Sequence, residues 1–137
     1  MFTFKKKINF YDCDPAGILF YGRVYELCHA AYEAMIESFN LVEDYWTNEN
    51  YIVPIISSEA SYHKPIKYGE EVTAEIIVTQ LKSSSFELEY ECKNSKGEKC
   101  VKVKTVHVLV DKKTWKKVGM SSELKEGLVK YLVGSME

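Results

Sequence analysis

The 137-residue sequence predicts an α+β fold in which an antiparallel sheet packs on one long helix. Three observations predict it. Apolar and polar residues alternate at 2–10 and again at 86–93, the period of a strand with one face on a core. Near 22–39 the apolar positions switch to helical spacing. Beyond residue 50, β-branched runs are separated by Pro, Gly, Asn and Ser, the punctuation of an antiparallel meander.

The first strand rests on Phe2, Phe4, Ile8 and Phe10 at alternate positions. Asp, Pro and Gly then interrupt the alternation, and Val24, Cys28, Ala31, Met35 and Phe39 fall on one side of the predicted helix. Tyr25, Leu27, Tyr32 and Ile36 widen that apolar sector beyond what a surface helix needs, so a sheet has reason to wrap around it. Asn40 is the expected stop. Residues 52–62 form the next expected strand, with Pro54 at its start or edge and Pro65 breaking or bulging it. After a turn at Tyr68-Gly69-Glu70, residues 72–81 are a β-branched strand. Phe86, Leu88, Tyr90 and Cys92 then alternate with Glu87, Glu89, Glu91 and Lys93. Asn94 to Gly97 is a hairpin turn, and 99–110 is the last long strand. Ser121 or Ser122 caps a short helix expected to run through Val133.

The length suits one domain spanning 1–137. A net charge of −2 shows no bias toward nucleic acid. The N-terminal residues lack the apolar run of a signal peptide or membrane span, so a cytoplasmic location is the default expectation. Cys13, Cys28, Cys92 and Cys100 are widely spaced and lack zinc-site spacing, which points to free thiols and no metal site.

The segment from Tyr11 to Arg23 combines two carboxylates, Asp12 and Asp14, with Pro15, Gly17 and the approach to the long helix. Hydrolysis at a carbonyl needs a group that attacks the carbon or activates water, and donors aimed at the oxygen that becomes negative. A carboxylate beside a helix N-terminus supplies both. The helix-start amides of Tyr21 and Gly22 have no intrahelical acceptor, and Gly17 lets backbone approach a ligand closely. The competing reading makes Asp12 and Asp14 turn and cap residues only. No Ser-His-Asp order or G-x-S-x-G elbow is present.

The string D-C-D-P-A-G-I-L-F-Y at 12–21 resembles the signature of the 4-hydroxybenzoyl-CoA thioesterase family, roughly D-x-D-x-x-G-[IV]-V-[FYWH]-[HY]. The likeness extends loosely through Ala60 to Pro65, Gly69-Glu70, Ser85-Phe86 and the valine-rich last strand. It implies a hotdog fold, a homodimer with active sites shared between subunits, possible further pairing to a homotetramer, and acyl-CoA as substrate, with no cofactor beyond it. In this family the second aspartate is nucleophile or general base, which falls on Asp14. The activating amide falls on Tyr21. His29 stands where hydroxybenzoyl-specific relatives carry an acidic residue, so it becomes a substrate-binding candidate and departs from that branch. Lys82, Ser83, Ser84 and Ser85 match the region that meets CoA, and Lys64 is a further CoA candidate. Glu59 is a substrate-side candidate and, with Glu26, a second choice for the essential carboxylate.

Two alternatives stay open. The chain could hydrolyse acyl-ACP, docked by Lys5-Lys6-Lys7 or by the lysines at 112, 113, 116 and 117. It could also bind acyl-CoA without catalysis, since fold does not fix function.

Overall fold

The computed structural model describes residues 1–136, with 134–136 as backbone alone; Glu137, the end of the expected domain, lies outside them. The described elements run β1 (Phe2–Lys7), a 3₁₀ turn (Phe10–Asp12), α1 (Tyr21–Ser38), β2 (Tyr51–Ile52), β3 (Ile55–Tyr62), β4 (Glu71–Leu81), β5 (Ser85–Lys93), β6 (Lys99–Val108), β7 (Val110–Asp111), α2 (Ser122–Val129) and β8 (Leu132–Met136).

The main sheet has the order β1-β4-β5-β6-β3 and is antiparallel along that path. Its two faces differ as the alternation requires. Phe86, Leu88, Tyr90 and Cys92 of β5 are buried with Val101 and Val103 of β6 and Val72, Ala74, Ile76 and Val78 of β4. Against this face α1 buries Val24, Leu27, Cys28, Ala31, Tyr32, Met35 and Ile36. Each large aliphatic side chain so buried contributes on the order of 1.5–3 kcal/mol. The other face is a ladder of cross-strand ion pairs, with Lys93 2.9 Å from Glu75 and Lys102 3.0 Å from Glu89.

Four sequence expectations change. The first strand stops at Lys7, because Ile8 turns inward to 1 % exposure while Phe10 lies 60 % exposed. Ile8 exchanges main-chain hydrogen bonds with the 69–70 turn, donating to Glu70 and accepting from Gly69. The strand expected at 52–62 divides into β2 and β3 at Val53-Pro54, and the last long strand divides at Leu109, whose amide turns to the Ser84 carbonyl.

The helix expected to reach Val133 ends at Val129, and the chain continues as β8. The reason is a vacancy on β4. β1 pairs with β4 only as far as Ile76, leaving the rest of that edge open, and β8 fills it in parallel, starting from Val78 opposite Leu132. Ser121 caps α2 through its side chain, accepting from the Leu124 amide at 3.2 Å, and Asn40 closes α1 in the left-handed region at φ 52°.

Edge strand β3 stays uncovered, with Ile56 64 % exposed and Ile55 also open. Tyr21 and Tyr25 of α1 are exposed apolar residues too.

Candidate active site

Asp14 opens a tight turn whose chemistry is local. The Gly17 amide donates to the Asp14 carbonyl at 2.9 Å, and the Asp14 amide donates to the Ile18 carbonyl at 2.9 Å. The side chain joins in: Oδ1 accepts from the Ala16 amide at 2.9 Å and from the Ile18 amide at 3.4 Å. This is an Asx-type turn, which fixes the carboxylate relative to its own backbone. Gly17 completes it at φ +77°, a conformation that side-chain-bearing residues avoid.

Two further anchors hold the turn against the molecule. Leu19 donates to Ile66 at 2.7 Å and Tyr68 donates to Gly17 at 3.1 Å, tying it to the segment after β3. Asp12 is buried, accepts from the Asn9 amide at 3.1 Å through Oδ2, and takes the Phe20 amide on its carbonyl at 3.0 Å. Asp12 therefore positions the start of α1 from beneath.

That start has no side-chain cap. Among the described residues no acceptor meets the Tyr21 or Gly22 amide, so both carry the partial positive charge of a helix N-terminus. Gly22 has a steric reason as well, since a Cβ there would lie 2.8 Å from the Phe20 ring.

Asp14 and Tyr21 line one cleft of about 370 Å³. Its opposite wall is Tyr62, His63 and Lys64, and Leu19, Ile66 and Val101 make the apolar floor. Tyr62 reaches across, its hydroxyl 3.4 Å from the Tyr21 carbonyl. His63 lies just beyond β3, is exposed, and lines the same cleft as Asp14.

The other candidates disperse. Lys64 is in the cleft wall but ion-paired with Glu98, which raises the lysine and lowers the carboxyl from their ordinary values. His29 lies two helical turns along from Tyr21, 3.8 Å from Glu33, and lines a separate smaller cleft with Cys28, Ser58, Tyr90 and Thr105. Glu59 is a correction. It pairs across to Lys104, on the ion-pair face of the sheet, whereas Ser58, Ala60 and Tyr62 share the helix face with Thr105, Val103 and Val101. Glu26 pairs with Arg23 at 2.9 Å and is exposed outside the cleft.

Lys82, Ser83, Ser84 and Ser85 lie at the far end of the sheet. β5, nine residues and so about 30 Å long, separates them from the Asp14 end. There the Ser83 carbonyl accepts from the Met120 amide at 2.9 Å and the Ser84 carbonyl from Leu109 at 2.8 Å. Within one chain the two groups do not meet.

No group of three or more metal-ligating side chains gathers among the described residues, and the four cysteines are free thiols. Among the described residues no helix is long and apolar enough to cross a membrane.

Residues 8–128 match the thioesterase-like superfamily. A 1,4-dihydroxy-2-naphthoyl-CoA hydrolase of Gloeothece citriformis is 29% identical over 114 residues, covering 81% of this chain and 80% of its own. One from Trichodesmium erythraeum is 26% identical and covers 95% and 96%. Among solved structures, a 1,4-dihydroxy-2-naphthoyl-CoA thioesterase from Synechocystis superposes with a TM-score of 0.87 at 20% identity, covering 93% of this chain and 95% of that one. The shared architecture is that of hotdog-fold thioesterases.

Proposed function

The chain belongs to the thioesterase-like superfamily, and from that premise we propose that it hydrolyses the thioester of a hydroxylated aromatic acyl-CoA, with Asp14 carrying the chemistry. One observation carries the reading: the Asp14 carboxylate and the uncapped first turn of α1 line the same cleft. The acyl class comes from the substrate named for the relatives. The narrower kinship with the 4-hydroxybenzoyl-CoA branch rests on the motif at 12–21.

In the proposed step the thioester carbonyl oxygen points at the Tyr21 and Gly22 amides, which stabilise the charge it acquires. Asp14 then acts in one of two ways. As nucleophile, it bonds to the carbonyl carbon, the C–S bond breaks to release CoA thiolate, and water hydrolyses the acyl-aspartyl anhydride. As general base, it takes a proton from water while the water oxygen bonds to the same carbon, and the thiolate leaves with that proton. Both routes consume one water and yield free acid and CoA, and neither calls on a cofactor. Gly17, at φ +77°, lets the turn that carries Asp14 close, and Lys64 stands in the cleft wall for the CoA arm.

The dispersal of Lys82 to Ser85 supports a shared site. A second copy pairing antiparallel along the open edge of β3 exchanges the two ends of the sheet, so the partner's turn comes to the Asp14 end of this chain. The exposed Ile55 and Ile56 favour that pairing. We therefore read the protein as a homodimer, able to pair again into a homotetramer, formed by one domain whose sheet wraps α1 and working in the cytoplasm.

Asp14→Asn tests the assignment, because the amide oxygen can still accept from Ala16 and Ile18 while the charge is gone. The expected result is a loss of kcat of about 10²–10⁴-fold, read as thiol release across aromatic, short-chain and long-chain acyl-CoAs. Turnover at the parent rate would overturn it.

A further inference from the structure

The smaller cleft, about 120 Å³, opens between α1 and the sheet next to the Asp14 cleft. Tyr25 on its wall is one helical turn beyond Tyr21, about 6 Å along the axis. Tyr62, in the wall of the first cleft, lies on the same face of β3 as Ser58 in the second, with Ala60 between them. An acyl group whose carbonyl meets the Tyr21 amide has this cleft one helical turn away along α1. The volume is of the order needed for a single ring, given that about 150 Å³ accommodates benzene in an apolar cavity.

What distinguishes this cleft is a directed chain of polar groups at its floor. The Thr105 hydroxyl donates to Tyr90 Oη at 3.2 Å and lies 2.7 Å from His107 Nε2. A hydroxyl has one proton. With that proton on Tyr90, Thr105 must accept from His107 Nε2–H, which leaves Nδ1 as a bare acceptor. Nδ1 indeed has no partner, and the imidazole is fully buried. Burial pushes His107 down to about 3, so it stays neutral with its one proton on Nε2. The order is therefore His107 to Thr105 to Tyr90, and the Tyr90 proton is left over. Tyr90 is 1 % exposed, lines the cleft, and donates to no acceptor among the described hydrogen bonds. Burial pushes its phenol above the ordinary value, which keeps it a donor. A buried donor without an acceptor is costly, so the site favours a ligand oxygen there.

We propose that Tyr90 is a specificity-determining residue, its O–H oriented by Thr105 and His107 to meet an oxygen substituent on the ring of an aromatic acyl group seated in this cleft. The identity of the ligand as an acyl-CoA rests on the function proposed above; the direction of the donor does not.

The test uses thioether analogues, phenacyl-CoA and its hydroxyphenacyl isomers, which cannot be hydrolysed, so that binding is read apart from turnover. By calorimetry the intact protein should bind at least one hydroxylated isomer about ten-fold or more above phenacyl-CoA. Tyr90→Phe should bring that ratio close to one, and Thr105→Val, which keeps the phenol but removes its orientation, should lower it in part. Circular dichroism establishes that each variant is folded, and either folded variant suffices to decide. An undiminished ratio in folded Tyr90→Phe or in folded Thr105→Val overturns the proposal, as does a ratio near one in the intact protein. Discrimination among analogues with no thiol release from the matching thioesters would sink the hydrolase reading and leave Tyr90 standing. Asp14-dependent hydrolysis with an unchanged ratio in Tyr90→Phe would do the reverse.

Discussion

The two ends of the sheet hold similar polar chemistry in opposite states. At one end Asp14 is fixed by its own turn and faces a cleft beside an uncapped helix start. At the other, His107 sits fully buried between Phe86 and Tyr32, its ring stacked on Phe86 at 4.7 Å. The turn between β4 and β5 at that end anchors the 109 and 120 segments with its carbonyls. Solvent access, more than residue type, separates the accessible carboxylate from the buried imidazole. A carboxylate in an open cleft can exchange protons and meet a substrate, whereas an imidazole walled by aromatic rings is confined to one protonation state.

The largest effect that sharpens this contrast is at Asp14. Asp14→Ala should lose activity as Asp14→Asn does, and in addition lose about 1 kcal/mol of stability for want of the turn acceptor. Parallel thermal melts and thiol-release assays separate the two losses; equal melting points for the two variants would mean the turn does not depend on that oxygen.

The buried end is expected to fail in acid. His107 is depressed in the folded state, so its contribution is intact above the ordinary histidine value and is lost as pH falls toward about 3. At pH 5 the penalty is about 2 kcal/mol. Urea titrations between pH 7 and pH 5 should show that drop in the parent and its removal in His107→Leu. An identical slope in both would place the acid sensitivity elsewhere.

Gly17→Ala should cost about 1 kcal/mol, from φ alone, since the nearest atom to an added Cβ is the Tyr68 ring at an ordinary 3.5 Å. It should also lower kcat by shifting Asp14. The smallest effect belongs to the far turn. Lys82→Ala should raise KM for acyl-CoA about two- to five-fold with kcat kept, the scale of one exposed charge, if the partner's turn meets the CoA arm. Unchanged KM at low salt would remove that turn from the site.

Much of this was legible in the chain. The alternation of Phe86, Leu88, Tyr90 and Cys92 against glutamates gave the inner and outer faces of β5, and Asp14 to Gly17 read as a turn ahead of a helix. Glu59 was not legible, because a period of two says that Glu59 and Ser58 face opposite ways without saying which way is inward. His63 was equally hidden, since its place beside Asp14 depends on the segment after β3 meeting the 17–19 turn.

By itself, then, the sequence determined what short-range physics controls: turn chemistry at Asp14 and Gly17, the α1 stripe, and the strand periods. Only the tertiary structure decided matters of long-range pairing. It sent the residues after Val129 onto the open edge of β4 as β8, and set Lys82 to Ser85 a sheet's length from Asp14. It also lined up His107, Thr105 and Tyr90 beneath a cleft. Each depends on hydrogen bonds or contacts between residues far apart in the chain or on which face a strand buries, and local composition carries no record of that choice.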